Sequence, residues 1–214
     1  MKNFKAVIFD LDGTLVDSFQ AIRSGYNYAL EQMNESRRLS LEQVKERVGG
    51  GLRESFFDLV GDERADEAVS LFRSRYREIF LKETFLLPYV FHVITLLSKK
   101  GILLGVVTNK YGDFSRALLA EFRLAPYLSV VIGDGDGFPL KPDPAIFSEL
   151  GKRTGFSTEE FLFIGDGPID IHFARNAGIS VYAIATGNYS AEALLHHRPD
   201  RLIGSLEEIL SCFS

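Results

Sequence analysis

The sequence predicts an α/β fold: a doubly wound parallel sheet with a bundle of helices inserted after its first strand. Three observations carry that expectation. Short, mainly apolar runs end in polar residues at 4–9, 102–107, 128–132, 161–164 and 181–185; helical patterns separate them; and residues 16–82 hold helical patterns only. Continuous apolarity, as opposed to alternation, suits strands covered on both faces. A rhythm of strand and helix then builds a parallel sheet flanked by helices.

In chain order, the first run, from Phe4 to Phe9, stops at two acids, Asp10 and Asp12. Asp is a poor strand former and costly to bury alone, so these acids need a reason other than the strand. Next, Val16, Phe19, Ile22, Tyr26, Leu30 and Met33 mark one helical apolar face, and Val69, Phe72, Tyr76, Ile79 and Phe80 another. Between them Ser-Leu-Glu-Gln at 40–43 reads as a capping box, and Val-Gly-Gly-Gly at 48–51 as a break. A βαβ crossover needs one helix, so several in a row read as a separate small bundle, with Phe56, Phe57, Phe72, Tyr76 and Phe80 as its core. The expected division is residues 1–15 and 85–214 for the sheet domain and 16–84 for the helical insert. Beyond it, Phe114, Leu118 and Phe122 recur every fourth residue; Asp143 and Pro144 are placed to cap and open a helix; and Pro168 can begin another that Gly178 ends.

The 214 residues suffice to bury roughly 70% of the unfolded chain's surface. With 46% hydrophobic and 25% charged residues, the composition is that of an ordinary globular protein. A formal charge of −5 and the lack of a basic stripe beyond Arg37 and Arg38 argue against nucleic acid as a partner. The lone Cys212 excludes an intrachain disulfide. Asp10 and Asp12 interrupt the first run too early for a secretory signal, and the Phe85 to Leu97 stretch, broken by Pro88 and His92, is short of the about 20 residues of a bilayer span. A cytoplasmic monomer or homodimer acting on a small molecule, away from membranes, is expected.

Ligands of open α/β sheets bind beyond the carboxyl ends of the strands. There the sequence puts Asp10 and Asp12 after the first strand, Thr108 and Asn109 after the second, Lys141 in the loop after the third, and Asp166 and Asp170 after the fourth. Clustered carboxylates need a cation, and oxygen ligands with room for water suit Mg²⁺. With Lys141 adding positive charge, the missing component is an anion, and phosphate fits. Asp10 could then act as nucleophile and metal ligand and Asp12 as acid and base, with Gly13 turning the backbone so that both face one pocket and Thr108 holding a phosphate oxygen. A calcium loop is the competing reading of Asp10 to Leu15, but Thr14 and Leu15 fall where an acid or amide and then Gly are required. Asp-Gly-Asp-Gly at 134–137 reads as a structural loop, since Phe138 and Pro139 spoil the same spacing.

Four motifs, Asp-Leu-Asp-Gly-Thr-Leu at 10–15, Val-Thr-Asn at 107–109, Lys-Pro-Asp-Pro at 141–144 and Gly-Asp-Gly-Pro-Ile-Asp at 165–170, make the chain similar to the haloacid dehalogenase-like hydrolase superfamily, specifically its phosphatases. Thr-Asn-Lys at 108–110 resembles phosphoglycolate phosphatases within it. The resemblance implies a Rossmann-like core whose helical insert is a mobile cap, and Mg²⁺ as cofactor. It makes Asp10 the nucleophile, Asp12 the general acid and base that also offers its carbonyl to the metal, Asp166 a direct metal ligand, and Asp170 a support for the metal through water or a hydrogen bond. Lys141 would neutralise the phosphoryl group and hold Asp10. Gly13, Thr108, Asn109 and, from the cap loop, Arg53 would bind substrate. Gly167 stands where relatives often carry Ser or Thr. The alternatives are a phosphomutase of the same superfamily and a non-catalytic phosphometabolite-binding protein; a phosphonate-cleaving relative would need a reactive cap lysine, for which Lys45 and Lys82 are the choices.

Overall fold

The structure, a computed structural model, describes residues 3–213. In chain order its elements are β1 (Ala6–Phe9), β2 (Val16–Asp17), α1 (Phe19–Gln32), α2 (Leu41–Lys45), α3 (Leu52–Val60), α4 (Asp62–Ile79), β3 (Phe85–Leu86), α5 (Val90–Lys99), β4 (Leu103–Tyr111), α6 (Gly112–Glu121), β5 (Val130–Asp134), α7 (Ala145–Thr154), β6 (Phe161–Gly165), α8 (Pro168–Ala177), β7 (Ser180–Ile184), α9 (Ala191–His196) and β8 (Arg201–Ile203). Six strands pair in parallel in the order β5-β4-β1-β6-β7-β8. The chain winds outward from β1 to β4 and β5 on one side, then to β6, β7 and β8 on the other. The strand order therefore reverses at β1, and a crevice opens there.

Successive residues of β1 face opposite sides, as the pleat requires. Val7 and Phe9 join one apolar cluster, with Val93, Ile94 and Leu97 of α5 and Phe114 and Leu118 of α6. Ala6 and Ile8 join the other, with Ile146, Phe147 and Leu150 of α7 and Ile171, Phe173 and Ala174 of α8. The first cluster continues without a break into the helical insert, where Tyr26, Phe56 and Phe72 meet at ring-centroid distances of 4.8–6.1 Å. Each such buried ring contributes about 1.5–3 kcal/mol of burial free energy. Tyr76 and Phe80 both reach Phe114 of α6 at 5.1 Å, so the insert rests on the sheet domain through aromatic contacts.

Several expectations are revised. Val16 does not belong to a helix: with Asp17 it forms a two-residue strand antiparallel to β3, so the insert's entry and exit are paired. β4 runs on to Tyr111 through Thr108 and Asn109, with a register shift between Val107 and Tyr111. The sixth strand, β8, is three residues long and begins with Arg201, too short and too polar to stand out. α7 starts one residue later than expected; Pro144 is its cap residue, and Asp143 accepts the Ala145 N–H at 2.9 Å. Phe57 is exposed, unlike its neighbour Phe56. The capping box at Ser40 and Gln43 is present. Asp136 accepts the Gly133 N–H and pairs with Arg116, each at 2.8 Å, as a structural loop would have it. Among the described residues no helix is long and apolar enough to cross a membrane.

Candidate active site

β1 ends at the middle of the sheet, so Asp10 emerges at the reversal of strand order, its N–H still bonded to the Ile164 carbonyl of β6 at 2.8 Å. From Leu11 the chain folds into a tight turn in which the Leu15 N–H returns to the Leu11 carbonyl. Gly13 sits in it at φ +84°, and a Cβ there would stand 2.3 Å from an Asp166 oxygen. Only glycine gives both that dihedral and that closeness. The turn brings the loop after β1 against the loop after β6.

Asp10, Asp166 and Asp170, all buried, each offer a carboxylate oxygen within 4.8 Å of the others. The Lys141 ammonium stands between two of them, 2.7 Å from Asp10 and 2.6 Å from Asp170. Asp170 also accepts the Gly167 N–H at 3.0 Å. Burial, only partly offset by Lys141, pushes the Asp10 carboxyl up to about 6. Burial and the charges of Asp170 and Asp10 hold Asp166 well above the usual carboxylate range. Burial works against the charged form of Lys141, but the two acids more than offset it and hold its ammonium above the ordinary lysine value. Hard oxygen donors crowded together and poorly compensated are what a small divalent cation fits.

Asp12 is not part of that trio. Its carboxylate takes the Lys110 ammonium at 2.8 and 3.0 Å and the Ser18 hydroxyl, at the entrance to α1. Lys110, next to the last residue of β4, also lies over the Tyr76 ring at 4.7 Å. Burial opposes its charge, but Asp12 outweighs that and raises its affinity for the proton. Lys110→Met is therefore expected to leave Asp12 buried with one neutral donor and to lower unfolding free energy by about 3–5 kcal/mol. Urea denaturation checks it, and adding Asp12→Asn to the same chain should recover most of the loss.

The Thr108 oxygen accepts the Lys110 N–H at 3.2 Å, which leaves its hydroxyl hydrogen available in the cleft that Asp10, Asp12 and Lys141 also line. Asn109 does other work than expected. Its amide nitrogen donates to the carbonyls of Gly49 and Lys141 at 2.9 and 3.0 Å, and its oxygen accepts the Lys141 N–H at 2.7 Å. It ties the insert's loop and the Lys141 backbone together and has no N–H left to donate to a substrate oxygen. Arg53 is likewise not brought to the cleft; Asp62 and Asp66 of the next helix, at 2.8 and 2.9 Å, hold it in an exposed ion pair. The arginines that line the cleft are Arg47 and Arg73, and of the two Arg47 borders it on both sides.

Sequence reasoning also missed a fifth loop, after β7. Thr186 donates to the Gly13 carbonyl at 2.7 Å, the Asn188 N–H to Asp166 at 3.4 Å, and the Asn188 side chain to the Lys45 carbonyl of the insert. Gly187 presses its backbone so close to Asp166 that a Cβ would lie 1.6 Å from a carboxylate oxygen. Thr-Gly-Asn directly after an apolar run was the signal available.

Fold and site together define a doubly wound α/β protein with a carboxylate and lysine centre beneath a helical insert. The chain belongs to the haloacid dehalogenase-like hydrolase family, which it matches over residues 7–184. It is 32% identical to a phosphoglycolate phosphatase of Salmonella choleraesuis, covering 98% of this chain and 92% of the relative. A phosphoglycolate phosphatase of Pseudomonas aeruginosa is 31% identical, with 97% of this chain and 79% of the relative covered. A haloacid dehalogenase-like hydrolase from Streptococcus pneumoniae superposes with a TM-score of 0.91 at 26% identity, all of both chains covered.

Proposed function

We propose that this phosphoric monoester hydrolase is a Mg²⁺-dependent phosphatase that takes a small phosphomonoester, with 2-phosphoglycolate as the leading candidate, through a covalent phosphoryl group on Asp10. The observation that carries the reading is Asp10 itself, buried at the end of β1 with Lys141 on one oxygen and two further acids within ligand distance. Phosphoglycolate is supported by the names of the curated relatives.

Asp10, Asp166 and Asp170 are the residues that would hold the cation, Asp166 directly and Asp170 in support. Bound there, Mg²⁺ would supply positive charge to the phosphoryl oxygens. Lys141 adds a second positive charge and fixes the attacking carboxylate. Thr108 donates to a phosphoryl oxygen; the Gly13 N–H does not, because the Val16 carbonyl takes it at 2.8 Å, and Gly13 serves by shaping the turn. An Asp10 oxygen forms a bond to phosphorus as the ester's bridging oxygen leaves and takes the proton of Asp12. Asp12, now a carboxylate, removes a proton from water as that water attacks the aspartyl-phosphate, releasing inorganic phosphate and restoring Asp10. The insert covers the cleft and excludes bulk water.

Purified protein is expected to release inorganic phosphate from 2-phosphoglycolate when Mg²⁺ is supplied, to lose that activity with EDTA and to regain it with excess Mg²⁺. A malachite-green assay decides it. Undiminished release in EDTA would remove the metal from the mechanism, and no release from any phosphomonoester would remove the mechanism.

A further inference from the structure

Most cations around the cleft are already matched. Lys141 is taken by Asp10 and Asp170, and Lys110 by Asp12. Arg73, reaching across from α4, pairs with Asp134 at 2.8 Å and stacks 4.4 Å over the Tyr111 ring. Arg47 differs. It lies just after α2, on the insert loop that bends over the sheet edge, and lines both cavities that open on Asp10 and Asp12. Among the described residues it forms no ion pair within 4.0 Å; one terminal nitrogen donates to the Gln43 carbonyl at 2.9 Å, and its Nε is buried without an acceptor. Arg73 shares the orphaned Nε, but its charge is balanced.

A buried donor with no acceptor costs free energy unless a ligand completes it, and a guanidinium with no counter-ion asks for an anion. Its planar fork suits a carboxylate. The phosphoryl end of a substrate is accounted for by Asp10, Lys141 and Thr108, so the anion Arg47 meets belongs to the leaving group. With one unmatched cation, a single negative charge is the balanced choice. We propose that Arg47 determines specificity by binding a carboxylate on the alcohol part of the phosphomonoester, so that the enzyme selects phosphorylated hydroxy acids over neutral alkyl phosphates. This rests on the phosphatase reading above and adds the chemical class of its leaving group and the residue that reads it.

The test compares wild type, Arg47→Gln and Arg47→Lys on three probes: 2-phosphoglycolate, ethyl phosphate (similar in size, with a neutral end) and ethylene glycol bisphosphate. Wild type is expected to favour phosphoglycolate in kcat/KM, and Arg47→Gln to lower the ratio of phosphoglycolate to ethyl phosphate by roughly ten- to a hundredfold, mainly through KM, the worth of one charge-assisted hydrogen bond. Arg47→Lys, which keeps the charge without the fork, should restore part of that ratio. An unchanged ratio, with wild type still hydrolysing ethyl phosphate, overturns the assignment of Arg47 and leaves the phosphatase reading standing. A larger effect on the bisphosphate than on phosphoglycolate overturns the choice of a carboxylate. Wild type that hydrolyses none of the three overturns both readings.

Discussion

Asp10→Asn is expected to lower kcat for 2-phosphoglycolate by on the order of 10⁴- to 10⁶-fold, the scale seen when a nucleophile is removed from an enzyme that forms a covalent intermediate. The amide keeps the shape of the carboxylate but cannot attack phosphorus. The fold should survive. Burial, with a smaller contribution from the neighbouring acids, outweighs Lys141 and pushes the Asp10 carboxyl up to about 6, so a neutral side chain there is tolerated and Lys141 keeps Asp170 as its partner. Circular dichroism and a thermal melt serve as the control, and initial rates with single-turnover kinetics supply the result. Activity above about a hundredth of wild type, well outside that scale, would show that Asp10 is not the attacking group. Quenching wild type in mid-turnover and mapping the phosphoryl group to a peptide other than the one containing Asp10 would do the same.

Lys141→Met should act on activity and stability together. Its ammonium, nearly inaccessible, holds Asp10 at 2.7 Å and Asp170 at 2.6 Å. Taking it away leaves two buried carboxylates facing each other, and breaking a buried ion pair from one side costs about 3–5 kcal/mol. The same change removes a fixed positive charge from the phosphoryl group, worth about 10²–10³ in kcat where a charge-stabilising donor is lost. Mg²⁺ should recover part of the stability, because a cation among the acids replaces the lost charge, and little of the rate. Urea unfolding with and without Mg²⁺ separates the two effects. A variant as stable as wild type in EDTA would mean that the lysine and the two acids are not coupled as their distances require.

The site was legible in the sequence wherever one strand end carried its own chemistry. Asp10, Asp166, Asp170 and Lys141 each follow an apolar run or stand in a loop punctuated by proline, so their convergence follows once the sheet is parallel and wound from β1. What could not be read was the pairing within the cleft. Nothing local says that Lys110 turns to Asp12, or that Ser18, which has the position of a helix cap, gives its hydroxyl to Asp12 instead. The loop after β7 was missed because Thr186, Gly187 and Asn188 act through a hydroxyl and backbone atoms, which carry no charge to mark them. Arg53 and Arg47 lie six positions apart, and the choice between them depends on two acids in a following helix that draw one of them away. Packing was similarly legible in outline: Phe56 and Phe57 are equally apolar, and only the turn of α3 decides which is covered.

β2 and β3 pair Val16 with Leu86 and Asp17 with Phe85, and the Leu87 N–H bonds the Leu15 carbonyl at 3.0 Å. Departure and return thus share one narrow doorway, two strands wide, directly downstream of the first acid motif. Anything spliced in at that doorway inherits a position over the buried acids, which the loops of the sheet domain assemble. A transplanted roof would have to match that short ladder, the aromatic seat at Phe114 and the ties that Asn109, Asn188 and Asp134 make to the insert.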